Sequence, residues 1–321
     1  MKPAFLVIDK PEGITSHDVV AMVRAVLGLQ KVGHTGTLDP FATGVLPLAL
    51  GPATRLIQYL DEDLKVYDAT IQLGQATDTG DLTGAVVREQ PIPALDQAQV
   101  LAVLEGFKGV RPQVPPAYSA VKVAGRPLYK YARAGEEVKV QARPVRIDGI
   151  ELISLDSPRL RVRITCGRGT YARVLADEIA QALGTSGHLV ALRRDRSGPF
   201  LDSMALDLPT LARLAAERED WQAVLRPTRG AERVPWRPRS LVQADLAPWL
   251  IPTATALGHL PALALSAGQR DLLRRAGQAP ATPPGLAAEA AWVGVDGDEV
   301  LAVFQAQASG AARVLCSVHG G

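Results

Sequence analysis

Arg159-Leu160-Arg161-Val162-Arg163-Ile164-Thr165-Cys166-Gly167-Arg168-Gly169-Thr170-Tyr171-Ala172-Arg173 is the stretch from which the fold can be read. Arg159, Arg161, Arg163 and Thr165 alternate with Leu160, Val162, Ile164 and Cys166, and a period of two belongs to a strand with one covered face. The three arginines leave two readings of the open face, solvated or turned toward a polyanion. Gly167 and Gly169 end the strand, and a helix is expected to begin around Tyr171, burying Val174, Leu175, Ile179 and Leu183 before Gly184. Tyr67 to Leu73 repeats the alternation, with Tyr67, Ala69, Ile71 and Leu73 on one face. Phe5-Leu6-Val7-Ile8 is a short apolar strand, closed by the turn Lys10-Pro11-Glu12-Gly13. Thr15 with Asp18 reads as the cap of a helix carrying Val19, Val20, Val23, Val26 and Leu27, and Gly28 stops it. Asp96 with Gln99 predicts a second capped helix, and residues 209–217 a third. Strands with a few intervening helices, and no regular βα repeat, indicate an α+β fold: a mostly antiparallel mixed sheet flanked by helices.

Other segments are less regular. Gly33 to Gly51 is glycine-rich without a clean period and reads as a loop with a short element after it. Pro112, Pro115 and Pro116 suit neither a helix interior nor a central strand, so residues 109–143 are expected to leave the core as an irregular insertion. Residues 217–239 are charged, proline-containing and resist assignment. Ser266 with Gln269 opens another helix, and strands are expected near 291–295, 300–305 and 312–318. The expected division is a large domain over 1–262, holding the insertion, and a small β-rich module over 263–321.

The chain has 321 residues, 47% hydrophobic, with a formal net charge of +2. It is long enough to bury a substantial core, and its apolar content excludes a mostly disordered protein. No run of 18 apolar residues is present, and the apolar positions before Asp9 and Lys10 are too few for a signal peptide, so a cytoplasmic protein without a membrane span is expected. Two cysteines, Cys166 and Cys316, cannot make a disulfide framework, and no spacing suggests a metal site. The charge is unevenly placed. Residues 111–196 hold 16 Lys and Arg against 8 Asp and Glu, whereas the rest of the chain holds 19 against 25. Such a block is what phosphate tracking requires, and it also contains four of the six tyrosines, which could stack on unpaired bases.

Gly33-His34-Thr35-Gly36-Thr37-Leu38-Asp39-Pro40-Phe41-Ala42-Thr43-Gly44 encloses an imidazole, hydroxyls and one carboxylate between glycines. A lone aspartate in such a loop serves as a turn former or helix cap, or takes a catalytic role, and spacing alone leaves these open. The loop is not a P-loop, because no Gly-Lys-Ser/Thr ends it, and its glycine spacing is not that of a dinucleotide fingerprint. His34 and Asp39 have no third metal ligand nearby in sequence, and no nucleophile elbow supports a Ser-His-Asp site.

This loop resembles the catalytic motif of the bacterial tRNA pseudouridine-55 synthase family, TruB. Matching stretches accompany it in family order over about 3–200: Lys10–Ser16, Gly51–Arg55, Tyr67 with Leu73–Asp81, Gln113–Lys122, Gly167–Arg173 and Gly187–Arg194. Departures from the family pattern lie between about 218 and 249, and the C-terminal portion resembles a PUA-type RNA-binding module only weakly. The resemblance implies a metal-free, cofactor-free isomerisation in which a uridine's C1′–N1 bond breaks and the base rejoins through C5. It implies Asp39 as the essential carboxylate, nucleophile or electrostatic partner, with Arg173 as its guanidinium partner and Tyr67 stacked on the target base. His34 would hold the rearranged nucleotides, and Tyr171 and Leu192 would line the uracil pocket. Tyr118, Lys122, Lys130 and Arg133 would grip RNA from the insertion, with Lys10, Arg193 and Arg194 as further backbone contacts. The partner implied is the T stem and loop of tRNA, bound by a monomer without an obligate protein partner.

Overall fold

The computed structural model describes residues 2–61, 64–216, 222, 241 and 243–318. Apart from residue 222, the unassigned stretch from 217 to 239 lies outside them, as does the first part of the departing region near 218. The chain forms two compact units, Met1–Asp39 with Val45–Asp61 and Pro199–Gly321, and Pro40–Gly44 with Glu62–Gly198.

In the first unit the strand Ala4–Lys10 pairs in parallel with Ala205–Asp207 and antiparallel with Leu250–Pro252. The helix Ser16–Leu27 follows, with both bonds of the Thr15–Asp18 capping box formed and Gly28 in the left-handed region at φ 61°. Thr43–Leu50 is a full strand, paired antiparallel with Val32–His34, where the sequence suggested a loop. Its residues Val45 to Leu50 are all buried, so both faces are covered and no alternation marks the run. The C-terminal portion is a four-stranded sheet, in the order Ala262–Ala264, Ala291–Asp296, Glu299–Ala306, Ala312–Ser317. One cluster packs Leu265 and Leu273 against Trp292, Leu301 and Phe304. Val293, Val300, Val303 and Val318 instead join Phe5, Val7, Val45, Leu56 and Phe200 in a second buried cluster. The sheet is therefore covered from two sides.

The second unit is built on a sheet whose neighbours run Gly187–Ser197, Lys65–Leu73, Arg159–Cys166, Arg143–Asp156, Gly109–Gln113. These pairings are antiparallel, while Thr43 and Gly44 add a short parallel contact to Arg193 and Arg194. The mixed, mostly antiparallel α+β architecture is the one expected. Gly109–Gln113, read as part of the irregular insertion, is instead the edge strand. Pro112 is tolerated there because one side of an edge strand needs no ladder bond.

The helix Ala172–Ala182 lies close to the strand Gly187–Ser197. A Cβ added at Gly187 would meet the Cβ of Ala180 at 2.5 Å, so only glycine permits this approach. The helix buries Leu175 and Ile179 as expected, but Val174 is only half-buried and Arg173 takes an interior position.

The open face resolves the arginine strand. Arg161 makes two bonds to Asp68, at 2.9 and 2.7 Å, and this carboxylate raises the guanidinium pKa. Arg163 and Arg193 reach Asp195 at 3.5 and 3.7 Å. Asp68 on the neighbouring strand and Asp195 one strand further on thus offset part of the positive charge of this face.

Candidate active site

Asp39 stands, half-buried, in the loop between Val32–His34 and Thr43–Leu50. The backbone just before it is held by Ser16, whose hydroxyl donates to the Leu38 carbonyl at 3.1 Å and accepts from the Leu38 N–H at 2.9 Å. Both residues are buried, so neither bond competes with bulk water. Farther back, the Thr35 N–H donates to the Pro47 carbonyl at 3.0 Å, and His34 meets His17 edge-on with centroids 5.4 Å apart. The loop ends at Gly44, with φ 98°, where an added Cβ would lie 2.3 Å from the Arg194 carbonyl oxygen. Backbone approach this close explains why glycine stands there.

Lys10 is completely buried, and its ammonium donates to the carbonyls of Pro11 and Ile14 at 2.9 and 2.8 Å. It organises the turn that leads to Thr15 and Ser16. Arg194 is also fully buried. The sequence reading expected both as RNA-backbone contacts, whereas their burial leaves neither with a charge at the surface of the free protein. Arg193 is half-buried on the paired face of the sheet, beside Asp195.

In the second unit Arg173 is 5% exposed, one residue inside the start of its helix. A cation there opposes the helix dipole, so it requires specific acceptors. Its Nη1 donates to the Thr79 carbonyl and its Nη2 to the Tyr118 carbonyl, both at 2.8 Å, and Asp81 Oδ2 lies 3.8 Å away. Asp81 is itself 4% exposed. Its Oδ1 accepts from the Thr79 hydroxyl and the Thr83 N–H, each at 2.9 Å. This carboxylate was within a quoted motif but received no role from the sequence. Its signal is the bracketing of one aspartate by Thr79 and Thr83, which satisfies a buried charge locally.

Tyr67 and Leu192 are buried on adjacent strands, Tyr67 opposite Arg194 and Leu192 opposite Ala69. Tyr171 is half-buried and caps the helix start, with its backbone bonded to the side chain of Gln113. Tyr118 is half-buried, while Lys122, Lys130 and Arg133 are exposed on the insertion. There Arg133 lies over the Tyr129 ring at 5.5 Å and Arg126 over Tyr131 at 4.3 Å. Among the described residues, no helix is long and apolar enough to cross a membrane.

Known proteins resemble the chain along most of its length. The profile of the TruB family pseudouridylate synthase N-terminal domain matches residues 24–172, and that of the tRNA pseudouridylate synthase B C-terminal domain matches 173–231. The tRNA pseudouridine synthase B of Geobacter sulfurreducens is 44% identical over 84% of this chain and 81% of its own. That of Aromatoleum aromaticum is 42% identical over 88% and 82%. In fold, a chain of the Cbf5-Nop10-Gar1 complex superimposes with a TM-score of 0.70 over 98% of this chain and 85% of its own, at 24% identity.

Proposed function

The chain belongs to the TruB family of pseudouridylate synthases, and on that premise we propose that it isomerises the uridine at position 55 in the T loop of tRNA. The observation that carries this reading is Asp39, which follows a Ser16-anchored Leu38 in the family's catalytic loop. A carboxylate fixed in that way can act on a ribose, as nucleophile or as partner to positive charge developing at C1′. To work it must be ionised, and a guanidinium, which never deprotonates in a protein, is the partner that keeps it so. Arg173 has that character. Its donors are held by two backbone carbonyls and its burial removes competing water.

The target base must leave its stack, at about a few kcal/mol, least where pairing is already weak. Tyr67 stacks on the everted uracil, Leu192 and Tyr171 line its pocket, and His34 holds the nucleotides left behind. Tyr118, Lys122, Lys130 and Arg133 hold the T arm, the three cations by their exposure to phosphate. Arg193 contributes from the strand Gly187–Ser197, where it is half-buried beside Asp195. Lys10 and Arg194 act from the interior, Lys10 by shaping the turn before Ser16. The larger domain to about residue 262 carries the chemistry, and the strands after it assist binding. The enzyme works in the cytoplasm as a monomer, without a guide RNA.

The test is mapping of pseudouridine in tRNA incubated with the purified protein and with its Asp39→Asn variant. Wild-type protein is expected to convert position 55 alone, while Asp39→Asn binds tRNA with affinity within about threefold and forms no product. Tight binding by the wild type without isomerised uridine would leave an RNA-binding protein in place of an enzyme.

A further inference from the structure

We propose that Gln113 is a positioning residue for Arg173 and couples the RNA-gripping insertion to the catalytic guanidinium; this rests on the function proposed above. Gln113 ends the edge strand Gly109–Gln113, from which the insertion departs, and is 2% exposed. Its Oε1 accepts from the Tyr171 N–H at 2.8 Å, and its Nε2 donates to the Tyr171 carbonyl at 3.3 Å. One side-chain amide thus brackets one peptide residue on both sides. Tyr171 is the capping residue of the Arg173 helix and makes no side-chain cap bond, so the register of that helix start is supplied from a strand 58 residues away.

The same segment also touches the other end of Arg173. Five residues after Gln113, the Tyr118 carbonyl accepts from Arg173 Nη2 at 2.8 Å. Arg111, two residues before Gln113 on the same strand, reaches Glu178 on the same helix at 3.5 Å. The chain leading to Lys122, Lys130 and Arg133 therefore holds the backbone near Arg173, its guanidinium and its helix. RNA pulling on the insertion is transmitted to the guanidinium through these bonds, and Gln113 is the link whose loss leaves the charge in place but loosens its aim.

The decisive variant is Gln113→Glu, which keeps the shape and the acceptor toward the Tyr171 N–H. Ionised, it sets a second oxygen against the Tyr171 carbonyl; protonated, it donates there as the amide does. Burial raises a carboxyl's pKa, which brings this change within the range where tRNA and protein are both stable. Single-turnover conversion of tRNA by Q113E should be at least tenfold below wild type at pH 8 and return to within about threefold at pH 5.5. Affinity for tRNA should stay within twofold throughout. Gln113→Met, which has no hydrogen-bonding amide, should be slow at every pH with the same affinity, and serves where Q113E does not fold. A folded Q113E or Q113M that matches the wild-type rate at pH 8 would overturn the proposal. So would a Q113E deficit that pH does not change, or one that follows loss of affinity. Failure of the wild type itself to form pseudouridine would instead overturn the function, and is scored separately.

Discussion

Replacing Ser16 by Ala isolates the support of the catalytic loop. Ser16 is 1% exposed, and its hydroxyl serves both polar groups of Leu38, itself 4% exposed, at 2.9 and 3.1 Å. Without it, two buried backbone groups lose their partner, and each left unsatisfied costs about 1–3 kcal/mol. The rigid-loop cost of about 2–6 kcal/mol is large enough that the loop is better off shifting to reach water. That relaxation limits the stability loss to about 2 kcal/mol, or about 4–8 °C in melting temperature for a domain of this size. It also moves Asp39, the next residue, and a displacement of about 1 Å costs about a hundredfold in rate.

The expected result for Ser16→Ala is a tenfold to hundredfold slower single-turnover conversion at 25 °C, with tRNA affinity within twofold. Thr15→Ala is the matched control, since it removes the helix cap next door, costs about 1 kcal/mol, and leaves the Ser16–Leu38 bonds intact. If Thr15→Ala slows conversion as much as Ser16→Ala, or if Ser16→Ala keeps the wild-type rate, the positioning argument is refuted.

Two further outcomes are expected. Arg161→Ala should leave tRNA affinity within twofold and its salt dependence unchanged, because Asp68 already neutralises that cation; Lys122→Ala, Lys130→Ala and Arg133→Ala should each flatten the log–log salt slope by about one, measured by filter binding. The Cys166 thiol is pushed up to about 11 by burial, so its thiolate fraction at pH 8 is about one in a thousand; native alkylation should label Cys316 first, and a Cys166 adduct forming as fast by intact mass would contradict that burial.

What could be read from the chain was what is encoded locally. The capping boxes at Thr15, Asp96 and Ser266 need only four consecutive residues, and all three form. The arginine strand was legible by its period, but its meaning was not, because Asp68 and Asp195 become neighbours only through pairing with other strands. Thr43–Leu50 was missed for the opposite reason: covered on both faces and interrupted by Pro47, it has no alternation to detect. At the site, motif order pointed to Asp39 and Arg173 as residues. The bonds that support Arg173 were hidden, since Thr79 comes from one distant stretch and Gln113 and Tyr118 from another. Burial of Lys10 was equally invisible, because an ammonium satisfied by two carbonyls looks, in sequence, like any surface lysine.

The two-sided covering of the C-terminal sheet bears on how the chain is made. Phe5 and Val7 emerge from the ribosome long before Val293, Val300, Val303 and Val318, which complete their cluster. Their strand has Thr43–Leu50 as an early neighbour, but its pairings with Ala205–Asp207 and Leu250–Pro252 come much later. The apolar side chains of this strand therefore stay partly uncovered until the segment about 290 residues later has been made, the interval in which holdase chaperones have the most to protect.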